Sequence, residues 1–266
     1  MELVPDSSVA GLVRVLTGGS MGATVVHVQL DIGELDKAAN RGAAAVDSTN
    51  VTQCAQLGAS KLDHPTPEVR HAALELLMRD ADVLASAAAG VLACFEDPVW
   101  FVRRAAVTAV ARLLPLARAS GPSSVALDAL IGRLDDESSE VRIAALRALQ
   151  DQNDVNAPLL LDSSLRASTL TSAVARATAD EAWGVRAAAV RLLGSRGEQG
   201  ELVHAAIASC CADSAAGVRA AAIDAVGMLG AGAVARHVDA ARRLTLDADG
   251  PTREAAERLL RGATAA

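Results

Sequence analysis

Aromatic residues are almost missing from this chain. Its 266 residues include two Trp, two Phe and no Tyr, 2% in all. A β-sandwich or barrel draws on aromatic and β-branched side chains, so the scarcity argues against both. Lysine is rare too, with Lys37 and Lys61 the only two. Positive charge is therefore almost all arginine, whose planar fork suits a carboxylate partner; coding bias toward GC-rich codons would give the same excess. A net positive charge is also missing, since the chain carries −7. Proteins that live on phosphate backbones usually carry a basic excess, so nucleic acid is not the expected partner. There are four cysteines, Cys54, Cys94, Cys210 and Cys211, and none forms a Cys-x-x-Cys pair. Adjacent Cys210 and Cys211 have poor geometry for zinc, and all four read as small buried thiols of a reducing compartment. No apolar run reaches the roughly 18 residues of a membrane span. The first residues, MELVPDSS, lack the basic stretch and apolar run of a signal peptide. The expected location is the cytoplasm, and no membrane association is expected.

What the chain does have is alanine, 59 residues of it, the best helix former. It also has an internal repeat. Six segments share one register: VRHAALELL (69–77), VRRAAVTAV (102–110), VRIAALRAL (141–149), VRAAAVRLL (185–193), VRAAAIDAV (218–226) and TREAAERLL (252–260). Arg-x-Ala-Ala occurs in all six, at Arg70, Arg103, Arg142, Arg186, Arg219 and Arg253. Six residues before the Arg stands an acid in five copies: Asp97, Asp136, Asp180, Asp213 and Asp247. His64 holds that place in the first copy. The spacing of the copies falls in the range of helical-hairpin repeats. Two longer intervals imply insertions, around 119–124 (ASGPSS) and 151–164 (DQNDVNAPLLLDSS), both rich in turn residues.

Each copy reads as two helices. The second, helix B, starts just before the Val-Arg, and its apolar positions follow three-four spacing onto one face. The first, helix A, precedes the Asp; the expected spans are 83–95, 125–134, 170–177, 202–211 and 234–246. Paired alanines let neighbouring helices approach closely, where a larger residue would overpack. The Asp lies near the start of helix B, where a guanidinium can bridge it to the next copy. Asp97, Arg103, Asp136, Arg142, Asp180, Arg186, Asp213, Arg219, Asp247 and Arg253 are thus expected to form a structural ladder along the stack.

The Asp-x5-Arg spacing and the Val-Arg-x-Ala-Ala run resemble the HEAT-repeat family, including the short repeats of the phycobilin-lyase HEAT-like proteins. The resemblance covers roughly residues 51–262. It implies an all-α fold, a right-handed α-α superhelix of the HEAT and armadillo kind. Residues 1–50 are expected to be a divergent cap or degenerate repeats, and 51–266 an array of about six hairpins. In the N-terminal part, 7–17 reads as one helix, 24–30 alternates like a strand but is also open to a helical reading in context, and 33–46 looks helical apart from Gly42.

No chemistry stands out. Gly18-Gly19-Ser20-Met21-Gly22 matches the letters of a nucleophile elbow, but that motif needs a strand before it and a sheet around it, so a connecting loop is expected. Of the five histidines none is followed by Glu, unlike the di-iron HEAT-repeat hydroxylases, and each reads as a surface or helix-edge residue. Asp135-Asp136-Glu137 reads as a solvated turn. No catalytic, cofactor-binding or metal-ligating residue is assigned, and no cofactor is expected. Trp100 and Trp183 both fall three residues before the motif Arg, and Phe101 adjoins the first. Two readings apply to them: a hydrophobic closure of the turn, or anchors for a partner. Stacked repeats expose an extended surface suited to long or helical partners, so a non-catalytic protein-binding scaffold or adaptor is expected. The acidic balance points to a partner with a basic patch. The family resemblance also allows an enzyme or accessory subunit of the phycobilin-lyase type, acting on a linear tetrapyrrole.

Overall fold

The computed structural model describes residues 12–17, 24–29, 48–116, 123–156 and 164–264. They fall into two compact units, within 1–109 and within 110–266.

The first unit opens on an antiparallel hairpin of β1 (Leu12–Thr17) and β2 (Thr24–Gln29), paired from Leu12 opposite Gln29 to Thr17 opposite Thr24. The helix expected over 7–17 is therefore a strand in its described part. Val13, Val15 and Thr17 alternate along β1, and Val25, Val26 and Val28 favour extended backbone opposite them. Helices α1 (Ser48–Ala59) and α2 (Pro67–Leu77) form the first helical hairpin. Pro67 starts α2, where its missing N–H costs nothing. Next come α3 (Ala81–Ser86), α4 (Ala88–Ala93) and a 3-10 turn, Cys94–Glu96. Asp80 caps α3 by accepting from the Asp82 and Val83 amides, and the Thr52 hydroxyl of α1 donates to its other oxygen. Helix α5 (Trp100–Leu116) is the helix B of this second copy. Leu74, Leu77, Leu84, Val91 and Val102 are fully buried here.

The second unit is a run of helix pairs: α6 (Ser123–Gly132) with α7 (Ser139–Asn156), α8 (Ser164–Ala177) with α9 (Trp183–Arg196), α10 (Glu201–Cys210) with α11 (Ala216–Leu229), and α12 (Ala231–Leu244) with α13 (Gly250–Thr264). The helices A expected over 125–134, 202–211 and 234–246 lie within three residues of their spans, whereas the one expected over 170–177 starts six residues earlier, at Ser164. Residues 151–156, read as part of an insertion, instead extend α7. Helix α9 stops at Gly197, whose positive φ of 69° is the left-handed cap that glycine adopts freely.

Alanine sets the spacing between helices B. Ala187, Ala188 and Ala189 of α9 and Ala221 and Ala222 of α11 are buried. Gly194 marks the closest approach: a Cβ added there would come within 2.7 Å of Ala225 on α11. Leucines and isoleucines fill the space beside them, with Leu146, Leu149, Leu192, Leu193, Ile207 and Ile223 almost fully enclosed. Each such burial stabilises by about 1.5–3 kcal/mol before entropy is counted.

Candidate functional site

The turn between helices A and B is a polar feature that recurs through the described residues. Its aspartate does three things. First, Oδ1 accepts the amide two residues on: Val99 for Asp97, Ser138 for Asp136, Ala182 for Asp180, Ala215 for Asp213 and Asp249 for Asp247, all at 2.8–2.9 Å. This closes the turn ahead of helix B. Second, the backbone carbonyl of the same aspartate accepts from Nη1 of the arginine six residues later. Arg103, Arg142, Arg186, Arg219 and Arg253 all make this bond, at 2.7–2.8 Å. Third, the carboxylate receives the arginine of the preceding copy. Arg186 meets Asp213 through Nε at 2.7 Å and Nη2 at 2.8 Å, and Arg219 meets Asp247 through both nitrogens at 2.7 Å. In the first unit Arg70 meets Asp97 in the same way, at 2.6 and 2.8 Å.

Arg70, Arg142, Arg186 and Arg219 therefore each tie their own turn to the next one. Bidentate guanidinium–carboxylate contacts are among the stronger polar contacts available to a protein. The electrostatics follow. The Arg186 guanidinium holds the Asp213 carboxyl below the usual carboxylate range, and Arg219 does the same for Asp247. For Asp97, burial pushes upward, but the hydrogen bonds from Arg70 and Val99 outweigh it.

Two copies depart from the pattern. In the first, His64 stands in for aspartate: its Nδ1 accepts from the Thr66 amide at 3.1 Å, and its carbonyl accepts from Arg70. The imidazole closes the turn without a carboxylate. In the third, Arg142 reaches Asp180 through Nη2 alone, at 2.8 Å, and its Nε is buried with no partner. The sequence between these two turns contains the longest interval of the array.

The tryptophans start their helices. Trp183 is the first residue of α9 and is 60% exposed. Its ring lies against the next copy, where a Cβ on Gly217 would come within 3.1 Å of Cζ3. Trp100 starts α5 and is 41% exposed. Arg104 lies over its ring at 5.3 Å, and Phe101 stands edge-on to both Trp100 and His71.

The histidines differ from expectation. His204 and His237 are buried, not at a surface or helix edge, and face each other with Nδ1 of one 3.0 Å from Nε2 of the other. They are 33 residues apart, one short of the local 34-residue repeat, so the two rings come from adjacent copies one position out of register. Cys94, Cys210 and Cys211 are buried and Cys54 half-buried, all as free thiols. Asp135 is exposed and bonded to Arg176 of α8. No group of three or more metal-ligating side chains occurs among the described residues. None of the described helices is long and apolar enough to cross a membrane. Ser20 and its glycines lie outside the described residues.

Helical hairpins joined through such turns define an α-α superhelix of the HEAT and armadillo class. The chain belongs to the HEAT-repeat family: a model of HEAT repeats matches residues 59–150, and a model of the HEAT repeat associated with sister chromatid cohesion matches 147–193 and 201–226. No curated protein matches the sequence. Solved structures do match the fold. An engineered protein of a structural genomics consortium is 15% identical, with a TM-score of 0.56 over 79% of this chain and 96% of its own. A designed armadillo repeat protein in complex with the peptide (KR)4 is 17% identical, with a TM-score of 0.56 over 79% and 99%. Another, computationally designed for modular peptide recognition, is 18% identical, with a TM-score of 0.54 over 78% and 98%. HEAT and armadillo folds are typical of protein-binding scaffolds and are generally non-catalytic.

Proposed function

We propose that this chain is a cytoplasmic, non-catalytic protein-binding scaffold or adaptor, with a binding face on the helices that carry Arg-x-Ala-Ala. The observation that carries this reading is Trp183, 60% exposed and seated beside a glycine of the next copy. Trp is enriched where partners are anchored. In the first unit Trp100, Phe101 and Arg104 form a second aromatic and cationic patch. The peptide-binding designs of similar fold support a proteinaceous partner. The Asp–Arg turns serve this function by setting the spacing of the helices, a structural role.

The test is capture of partners from native lysate with the whole protein, read by quantitative mass spectrometry, beside Trp183→Ala and Trp100→Ala. The expected outcome is a stoichiometric protein partner lost in a variant whose helix content and melting are unchanged. If the variants melt and the folded fraction keeps its partners, the tryptophans are structural and this reading of the face fails. The lyase-like alternative makes a different prediction, colour on mixing with a linear tetrapyrrole; the scaffold reading expects none.

A further inference from the structure

Helices α10 and α12 each contribute one buried histidine to the seam between the last two hairpins. His204 and His237 are 5% and 6% exposed. Their rings are 5.3 Å apart at the centroids and tilted by 35°, with Nδ1 of His204 3.0 Å from Nε2 of His237. One nitrogen must donate and the other accept, so a single N–H spans the seam. The position does not demand histidine. Fifteen residues before the motif arginine, where His204 stands, other copies place Ala55, Leu127 and Thr171.

We propose that the His204–His237 pair is a proton-operated latch: it joins α10 to α12 while at most one ring is charged, and it opens when both rings are charged.

The reasoning is one of proton counting. Two neutral rings share one N–H···N bond. An imidazolium beside a neutral ring still makes that bond. Two imidazoliums have no acceptor between them, and they set like charges side by side in a buried seam. Burial already holds the His237 imidazole below the ordinary histidine value, and His204 and Arg236 add to this.

Carboxylates that might host a second cation are already engaged. Glu201 of α10 is bonded to Arg236 of α12, and Asp239 pairs with Arg242. On the α8 and α9 side, Glu198 binds Arg196 and Thr171, and Arg176 is held by Asp135. Arg219 of α11 and Arg253 of α13 are tied into the turns. Asp224 pairs with Arg258 across α11 and α13, Glu257 with Arg261, and Glu254 is exposed. The neighbouring thiols, Cys210 and Cys211, are pushed up by burial and carry no charge near neutral pH.

The sign is that of a base with a lowered folded value. Stability from the seam is complete above the unfolded histidine value near 6.5 and is lost as pH falls below it. Amide hydrogen exchange of the whole protein at pH 7.5 and 5.5, corrected for intrinsic rates, tests this residue by residue. With His237 kept neutral in the fold, the opening constant of α10, α12 and α13 should rise up to about tenfold over that window. In His204→Leu/His237→Leu, for which Leu127 and Leu170 are the precedents at the two positions, that rise should vanish. His64 and His71 lie in the first unit and are untouched by the variant. A second readout needs no variant: the two imidazoles of the wild type, followed by NMR, should show at least one midpoint below 6.5. Equal pH responses in wild type and double variant, or two ordinary midpoints, would overturn the proposal.

Discussion

Removing the Asp213 carboxylate should uncouple two neighbouring hairpins. Arg186 and Asp213 keep only 15% and 11% of their side-chain surface in contact with solvent. Asp213→Ala deletes two bonds to the guanidinium and one to the Ala215 amide, leaving Arg186 with only its turn carbonyls. A one-sided break of a largely buried pair costs about 3 kcal/mol, the low end of its usual range, because some solvent still reaches this pair. Asp213→Asn keeps an acceptor for the Ala215 amide and loses mainly the charge, so its cost is about 1.5–2 kcal/mol. Arg176 and Asp135 supply an internal control, an ion pair of similar length that is 64% and 67% exposed. Asp135→Ala should cost less than about 0.5 kcal/mol. The assay is urea unfolding by circular dichroism, repeated by fluorescence in a Trp100→Phe background where Trp183 is the sole indole. Trp183 sits three residues before Arg186 and reports on that joint. In a repeat array the coupling between neighbours sets cooperativity, so the Asp213→Ala transition should also broaden. Equal costs for Asp213→Ala and Asp135→Ala would refute the reasoning, as would an Asp213→Ala variant within about 0.5 kcal/mol of wild type.

Three further outcomes can be checked. Asp97, Asp213 and Asp247 have lowered folded values, so their contribution is complete above the ordinary carboxylate range and is lost as pH falls through the folded values; melting temperatures should drop steeply below about pH 4. Gly194→Ala should destabilise by about 1–3 kcal/mol through contact with Ala225, outweighing its gain of about 1 kcal/mol in helix propensity. Gly132→Ala meets nothing within 4 Å and should be neutral or stabilising, so thermal melts of the two variants should diverge in sign. Burial pushes the Cys211 thiol up to about 11, and Cys210 higher still; native alkylation followed by peptide mass spectrometry should label Cys54 before either.

Much of this was legible in the sequence because a solenoid repeats its local chemistry. The Arg-x-Ala-Ala run marked every helix B, and the paired alanines are buried where helices B meet. The aspartate six residues earlier marked five of the six turns. What spacing could not show was the second bond of each arginine, to the carbonyl of its own turn, since a backbone acceptor leaves no trace in residue identity. Arg70 stands outside the expected ladder because its own copy carries His64 in place of the aspartate, although it makes the same contact with Asp97 as its counterparts make with theirs. His64 looked like a lapse in the pattern until its Nδ1 was seen in the place of a carboxylate oxygen. The helix expected over 7–17 gives way to a strand because strand pairing is non-local: 12–17 is extended with 24–29 beside it. Residues 151–156 were misread for the opposite reason, a polar stretch that simply continues a helix already nucleated.

The turn at Arg142 has a mechanical consequence. Where Arg186 and Arg219 grip the next turn through two nitrogens, Arg142 grips through one and leaves its Nε without a partner. Pulled end to end, a stack of hairpins yields first at its weakest fastener. In the second unit that fastener is the joint between α7 and α9, so the earliest rip in a force-extension trace should fall there. A substitution that gave Arg142 Nε an acceptor would move the rip elsewhere and stiffen the array against tension.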